Sequence, residues 1–310
     1  MLATLWRHCR LILEEPRWHR LLLILMLLTG ISIAFWTIAR DWSNLRSYHW
    51  QFDWTYLVLS SGTYAVALAL AMFAWSAMMR ALGVRLAWRQ HARFYIYSWM
   101  ARRLPTAAPF VVSRVMLYEQ AGVARRLTLS GMLWEQILQL ASGCVLIMVL
   151  FPFTPLLGGN IPLLPVILVA LVSLFLAVRP DFVARMLNWV LRRWGKEPLT
   201  NFLGLSATLT VFMLYTLLWF IGGLILFLMA RSVYGLDWST LPILVQIWVA
   251  TGLVGYVAFL IPVSLGLSDV SMVALLALVV PLSVAMIIVL LIRGWITVHE
   301  LGWALILSRL

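Results

Sequence analysis

The sequence predicts an all-α fold: a polytopic bundle of transmembrane helices with two oppositely oriented, re-entrant, proline-broken elements related as a pseudo inverted repeat. Three observations predict it. Of 310 residues, 64% are apolar and 11% charged, with a mean hydropathy of +0.98, more apolar surface than one soluble core of this length hides. Long apolar runs alternate with basic connections. Two proline-containing segments interrupt that pattern about half a chain apart, Arg102-Arg103-Leu104-Pro105-Thr106-Ala107-Ala108-Pro109 and Leu260-Ile261-Pro262-Val263-Ser264-Leu265-Gly266-Leu267-Ser268-Asp269. Proline removes a backbone donor and disturbs the preceding turn, and lipid cannot satisfy the groups set free, so each break must be shielded by protein or line a polar cavity. Broken helices at corresponding places in two halves point to a transport site.

Along the chain, residues 1–20 form a basic, amphipathic amino-terminal segment with Arg7, Arg10, Arg17 and Arg20, and residues 21–310 a single transmembrane domain. The run 21–39 is too long for a signal h-region and lacks a small-residue cleavage site, so it reads as a retained first helix. Further apolar runs cover 54–79, 129–150, 163–178, 206–229, 241–261, 272–292 and 296–307. At about 1.5 Å per residue the longer ones cross a hydrocarbon layer of about 30 Å, whereas 163–178 is marginal. Arg80, Arg85, Arg89, Arg93, Arg102 and Arg103 crowd one connection, and Arg179, Arg185, Arg192, Arg193 and Lys196 another. Both, with the amino-terminal segment, belong on the cytoplasmic side. The connections 40–53, 151–162 and 231–240 are neutral or balanced and face outward.

Two basic stretches, 80–93 and Arg125-Arg126, then lie on the same side, separated by the short apolar piece 110–117. A re-entrant helix pair entering from inside resolves this. The stretch 241–281, broken at Pro262, mirrors it from outside and leaves 282–310 to cross inward. Six crossings, two re-entrant elements and two cytoplasmic termini result; eight crossings is the rival count.

Charges within lipid carry the functional expectation, since an Arg or Asp at mid-helix costs about 2.5–3.5 kcal/mol on insertion and needs a partner. Arg114, Glu119, Glu135, Asp269, Arg293 and Glu300 are the candidates, each also explicable as a structural ion pair or a snorkelling side chain. Arg293 and Glu300 share a helical face seven residues apart, and His299 beside Glu300 is a headgroup contact before it is a proton relay. Tryptophans near run ends, Trp36, Trp42, Trp50, Trp54, Trp75, Trp88 and Trp238, read as interface anchors. Ala67, Ala71 and Ala74, and Gly222-Gly223, suit close helix contact. Cys9 and Cys144 make no disulfide framework or thiolate metal site. There is no HExxH, GxSxG, P-loop or Asp-rich cluster, so no enzyme, cofactor or metal is expected. The net charge of +12 sits between membrane runs, which favours anionic headgroups over nucleic acid.

Tyr97-Ser98 through Arg103-Leu104-Pro105, Val111-Val112-Ser113-Arg114, Gly122-Val123 and Trp134-Glu135 resemble, in order and spacing, the first half of the lysylphosphatidylglycerol synthase transmembrane region, a flippase-like membrane family. Gly255 through Pro262, Gly266 and Asp269, then Leu291-Ile292-Arg293, look like the second. The likeness runs from about Trp54 to the carboxy terminus. Two places differ: the family's Pro-Gly reads Pro105-Thr106, and its Pro-Gly-Gly-Leu-Gly with a following Arg-Glu reads Pro262-Val263-Ser264-Leu265-Gly266-Leu267-Ser268-Asp269. Fewer glycines stiffen the breaks, and Asp269 lacks its usual arginine neighbour. The family's aminoacyl-transfer domain has no counterpart in these residues, so lysyl transfer by this chain alone is not expected.

The resemblance implies a lipid-binding protein of the bacterial inner membrane that moves an anionic or aminoacylated phospholipid, or a lipid-linked precursor, between leaflets. Arg114 and Arg293 would hold a phosphate, Glu135 and Asp269 balance the charge or meet a cationic headgroup, and Pro105, Pro109, Pro262 and Gly266 keep the helices broken. The alternative is a non-transporting accessory subunit partnered with an envelope glycosyltransferase or lipid-modifying enzyme.

Overall fold

The computed structural model describes residues 52–101, 107–153, 163–193, 198, 202–259 and 266–308, and within them every regular element is a helix. In chain order these are α1 (Trp54–Ala81), α2 (Trp88–Ala101), α3 (Ala107–Gln120), α4 (Arg125–Leu150), α5 (Leu163–Val178), α6 (Pro180–Arg193), α7 (Leu205–Val233), α8 (Leu241–Phe259), α9 (Leu267–Leu276) and α10 (Leu282–Ser308). The expected helix at 21–39, the basic segment 1–20, Pro105, Pro262 and both termini lie outside the described residues.

The lengths repeat. α1, α2, α3 and α4 have 28, 14, 14 and 26 residues, and α7, α8, α9 and α10 have 29, 19, 10 and 27, with α5 and α6 between the two sets. Each half is thus a long helix, a two-piece helix interrupted at a proline-bearing segment, and a second long helix. The leading helices of the halves, α1 and α7, share the broadest contact among the described elements. The Asp53 amide, just before α1, donates to the Ser232 carbonyl at the end of α7 (2.9 Å), so these two run in opposite directions.

Among the described residues five helices, α1, α4, α7, α8 and α10, are long and apolar enough to cross a membrane. Their exteriors invert the soluble pattern: on α7, Leu205, Leu209, Met213, Leu217 and Phe220 form an exposed stripe at spacings of four and three, while Val211, Tyr215, Trp219, Gly222 and Gly223 on the same helix are buried. Such stripes face acyl chains, which are as apolar as the side chains they meet. α2, α3 and α9, at about 21, 21 and 15 Å, are too short to cross alone.

Local signals account for the helix ends. The Asp53 carboxylate caps α1 by accepting from the Thr55 amide at 2.9 Å. Gly122, at φ +82°, ends α3 in the left-handed conformation, with the Val123 and Ala121 amides both returning to the Tyr118 carbonyl. Pro109 is the third residue of α3, within the first turn, where the absent N–H breaks no helical bond; it belongs to the start of the helix and not to the break.

The boundary expected between 281 and 282 is present: α9 closes at Leu276 and α10 opens after Pro281, then continues unbroken through the charges Arg293 and Glu300 to Ser308. One expectation is corrected. Trp75 is not an interface anchor. It is fully buried, its indole N–H donating to the Tyr118 hydroxyl at 2.7 Å, whereas Trp54, Trp88 and Trp238 do lie exposed at helix ends. α5 covers the predicted 16-residue run, Leu163–Val178.

Gly222 and Gly223 let α8 lie against α7. A Cβ on Gly223 would stand 2.4 Å from the Val245 Cα, and one on Gly222 2.0 Å from the Trp248 indole nitrogen. Backbone cannot swing aside as a side chain can. Gly223→Ala is therefore expected to lower unfolding stability in mixed micelles by about 1–3 kcal/mol, whereas Gly62→Ala, whose added methyl would meet nothing within 4 Å, should be neutral or slightly stabilising. Equal behaviour of the two variants in a denaturation series contradicts the packing.

Candidate functional site

α2 and α3 fold back on each other across the first break. Trp99 meets Phe110, Tyr95 lies under Arg114, and His91 meets Tyr118, so one partner descends by one helical turn as the other climbs by one. That stepping is the mark of an antiparallel hairpin of α2 and α3.

Arg114 sits in the middle of this hairpin with no exposed surface. One guanidinium nitrogen, Nη1, donates to Glu135 Oε2 on α4 at 2.6 Å, and Nε donates to Ser98 Oγ on α2 at 2.8 Å. The Trp75, Phe110 and Tyr95 rings lie 4.3, 4.6 and 4.8 Å from the guanidinium carbon. Nη2 finds no hydrogen-bond acceptor among the described residues, and the ring faces supply negative potential in its place. A desolvated cation over an aromatic face gains about 2 kcal/mol or more, and three faces with one carboxylate offset a desolvation penalty of several kcal/mol per ion. α1, α2, α3 and α4 are thus joined through one side chain.

The second pair is of another kind. Arg293 on α10 bonds Asp269, in the first turn of α9, through both Nε and Nη2, and each side chain keeps 44% of its surface exposed. Gly266, at φ +84°, precedes α9 as its N-cap residue and turns the chain out of the second break. Ser268 then donates to the Thr251 carbonyl at 3.2 Å, which seats the start of α9 on α8.

All four predicted charged residues therefore fall into two ion pairs, Arg114 with Glu135 and Arg293 with Asp269, one in each half beside a broken helix. The two pairs differ in exposure: one is sealed and the other open. Glu119, by contrast, pairs with Arg125 at 2.7 Å on an exposed surface. Glu300 is buried, accepting from the Trp99 indole at 3.0 Å and the Tyr64 hydroxyl at 3.4 Å, while its neighbour His299 bonds Ser61 Oγ at 2.8 Å. Arg293 and Glu300 share a helical face yet differ in burial, because two turns carry α10 from α9 to the α1 and α2 side chains.

The sequence reading missed the aromatic surroundings of Arg114. The available signal was the set His91, Tyr95 and Trp99 at steps of four on α2, polar-edged rings that a purely lipid-facing surface would not repeat. Among the described residues no group of three or more metal-ligating side chains comes together.

Because the pair is sealed, breaking it from one side strands a charge. Arg114→Met and Glu135→Leu should each destabilise by about 3–5 kcal/mol, and the double variant by less than their sum. Asp269→Asn, at an exposed pair, should change stability by no more than about 1 kcal/mol. Unfolding in mixed micelles measures all four, and additive losses at 114 and 135 would remove the pair as the organising contact.

A family model described as the lysylphosphatidylglycerol synthase TM region matches residues 21–299. No curated protein and no solved structure matches the chain.

Proposed function

The chain belongs to the lysylphosphatidylglycerol synthase transmembrane-region family, a multi-pass membrane protein family, and from that premise we propose that it translocates an anionic or aminoacylated phospholipid, or a lipid-linked precursor, between leaflets. The observation that carries the reading is the Asp269–Arg293 pair: an ion pair between two apolar helices beside a broken helix, open on nearly half of each side chain. A charged pair kept open in a helix bundle is able to exchange partners. A phosphate oxygen competes with Asp269 for Arg293, which offers bidentate donors, while Asp269 accepts an amino group where the headgroup carries one.

In this reading the two halves divide the work. The α2–α3 hairpin, locked by Arg114 and Glu135, is the fixed wall, and α9 with the first half of α10 is the side that meets lipid. The hairpin and the α8–α9 pair enter the bilayer from opposite faces, with both termini cytoplasmic in a bacterial inner membrane. Support for that placement is the arginine distribution and the shared plan of the halves, a long helix, a broken pair and a second long helix. α8 alone is long enough to cross, so the second element is the more asymmetric of the two. No bond-making step is assigned to the protein.

Leaflet exchange of headgroup-labelled phosphatidylglycerol and lysyl-phosphatidylglycerol in proteoliposomes tests this. Loss of one charge-assisted hydrogen bond, about 1.5–3 kcal/mol, predicts that Arg293→Gln and Asp269→Asn slow exchange by about ten- to a hundredfold, with Arg293→Lys between them and the unmodified protein. All variants should keep the parent's elution and unfolding profiles. Exchange no faster than in protein-free liposomes, with either lipid, contradicts translocation and transfers the site to a non-transporting accessory that binds lipid for an envelope enzyme.

A further inference from the structure

α6 follows α5 across a corner at Arg179-Pro180. Proline stands at the first helical position, where its missing N–H breaks no bond, and the Phe175 and Phe182 rings close the corner edge to face at 5.4 Å. At about 21 Å the helix is too short to span, and it carries four charged residues, Asp181, Arg185, Arg192 and Arg193. Its surface divides into three bands. Val183 and Ala184 are buried against the protein. Phe182, Met186 and Trp189, spaced by four and three, form an apolar stripe exposed at 41, 43 and 63%. Asp181, Arg185 and Arg192, spaced by four and seven, form a separate exposed polar stripe beside it. Arg193 closes the end of the apolar stripe, its guanidinium 5.9 Å from the Trp189 ring.

We propose that α6 is an interfacial helix that lies in the plane of the membrane surface and gathers anionic phospholipid there, on the side to which the arginine-rich connections are assigned. The exposed stripe of Phe182, Met186 and Trp189 enters the boundary between headgroups and acyl chains, where a tryptophan ring is at home. Arg185, Arg192 and Arg193 stand at headgroup height against a single acid, Asp181, and that sign fits phosphate diesters. Continuity with α5 sets the depth: a helix leaving the hydrocarbon at Val178 and turning at Pro180 delivers α6 to the headgroup layer. The proposal does not depend on lipid translocation; a protein of any function in this fold would carry the same surface.

The test uses the full chain in nanodiscs with Cys9 and Cys144 replaced by alanine and a nitroxide at Met186→Cys or Asp181→Cys. Label 186 should be accessible to oxygen and shielded from a water-soluble nickel relaxant, and label 181 the reverse. In nanodiscs mixing phosphatidylcholine with phosphatidylglycerol, the phosphatidylglycerol retained per protein should fall at least about threefold in R185Q/R192Q/R193Q, without change in the accessibility of label 186. Water exposure of label 186 overturns the interfacial placement and leaves the stripe to a protein partner. Unchanged phosphatidylglycerol retention in the triple variant overturns the anionic preference. Because leaflet exchange is not read, failure here is distinguishable from failure of the translocation reading.

Discussion

A guanidinium with no exposed surface, inside a bundle whose outside faces hydrocarbon, is the constraint on which the first half of this protein depends. Lipid offers the Arg114 guanidinium no partner, so the surrounding elements are arranged to receive it. Glu135 brings α4, Trp75 brings α1, and Ser98 with Tyr95 brings α2. The break between α2 and α3 follows from the same need. A straight helix through 88–120 would carry Arg114 away from Ser98 and Tyr95, whereas a hairpin returns it to them. The broken helix is thus the means by which one side chain is enclosed on all sides.

The second half uses the same arrangement of helices to a different end. Its ion pair closes α9 onto α10 but leaves both partners open, and the close contact it needs comes from glycine: Gly222 and Gly223 on α7 admit Trp248 and Val245 of α8, and Gly252 on α8 admits Trp219. Tight packing along α7 and α8 lets the shorter α9 rest on a firm surface while its charged first turn stays accessible. Glu300, held by Trp99 and Tyr64, ties the end of α10 back to the first half. The halves are therefore alike in plan and unlike in exposure, the property that bears on what either can bind.

The class, the helical runs and the two breaks were legible because apolar length and proline act locally. The run 163–178 became α5 without adjustment, and Arg114, Glu135, Asp269 and Arg293 were among the six charges that the cost of burial in lipid marked out. What was not legible depends on contacts between distant residues. Nothing adjacent to Trp75 marks it as part of a cation cage and not a headgroup anchor, since its partners Tyr95 and Tyr118 are 20 and 43 residues away. The boundary between 281 and 282 came from matching the two proline breaks and not from hydropathy, which sees a continuous span across the apolar residues 277–281. Pairing was the least visible feature, because hydropathy places a charge at a depth but not opposite a partner.

The central claim is that the two ion pairs have separate roles, the sealed one structural and the open one receptive. An experimental structure in nanodiscs containing phosphatidylglycerol and lysyl-phosphatidylglycerol tests it most directly. The account predicts lipid phosphate within about 3 Å of the Arg293 guanidinium, between α9 and α10, with Arg114 still bonded to Glu135. A phosphate on Arg114 with the Glu135 pair opened, or no lipid on either arginine, contradicts it.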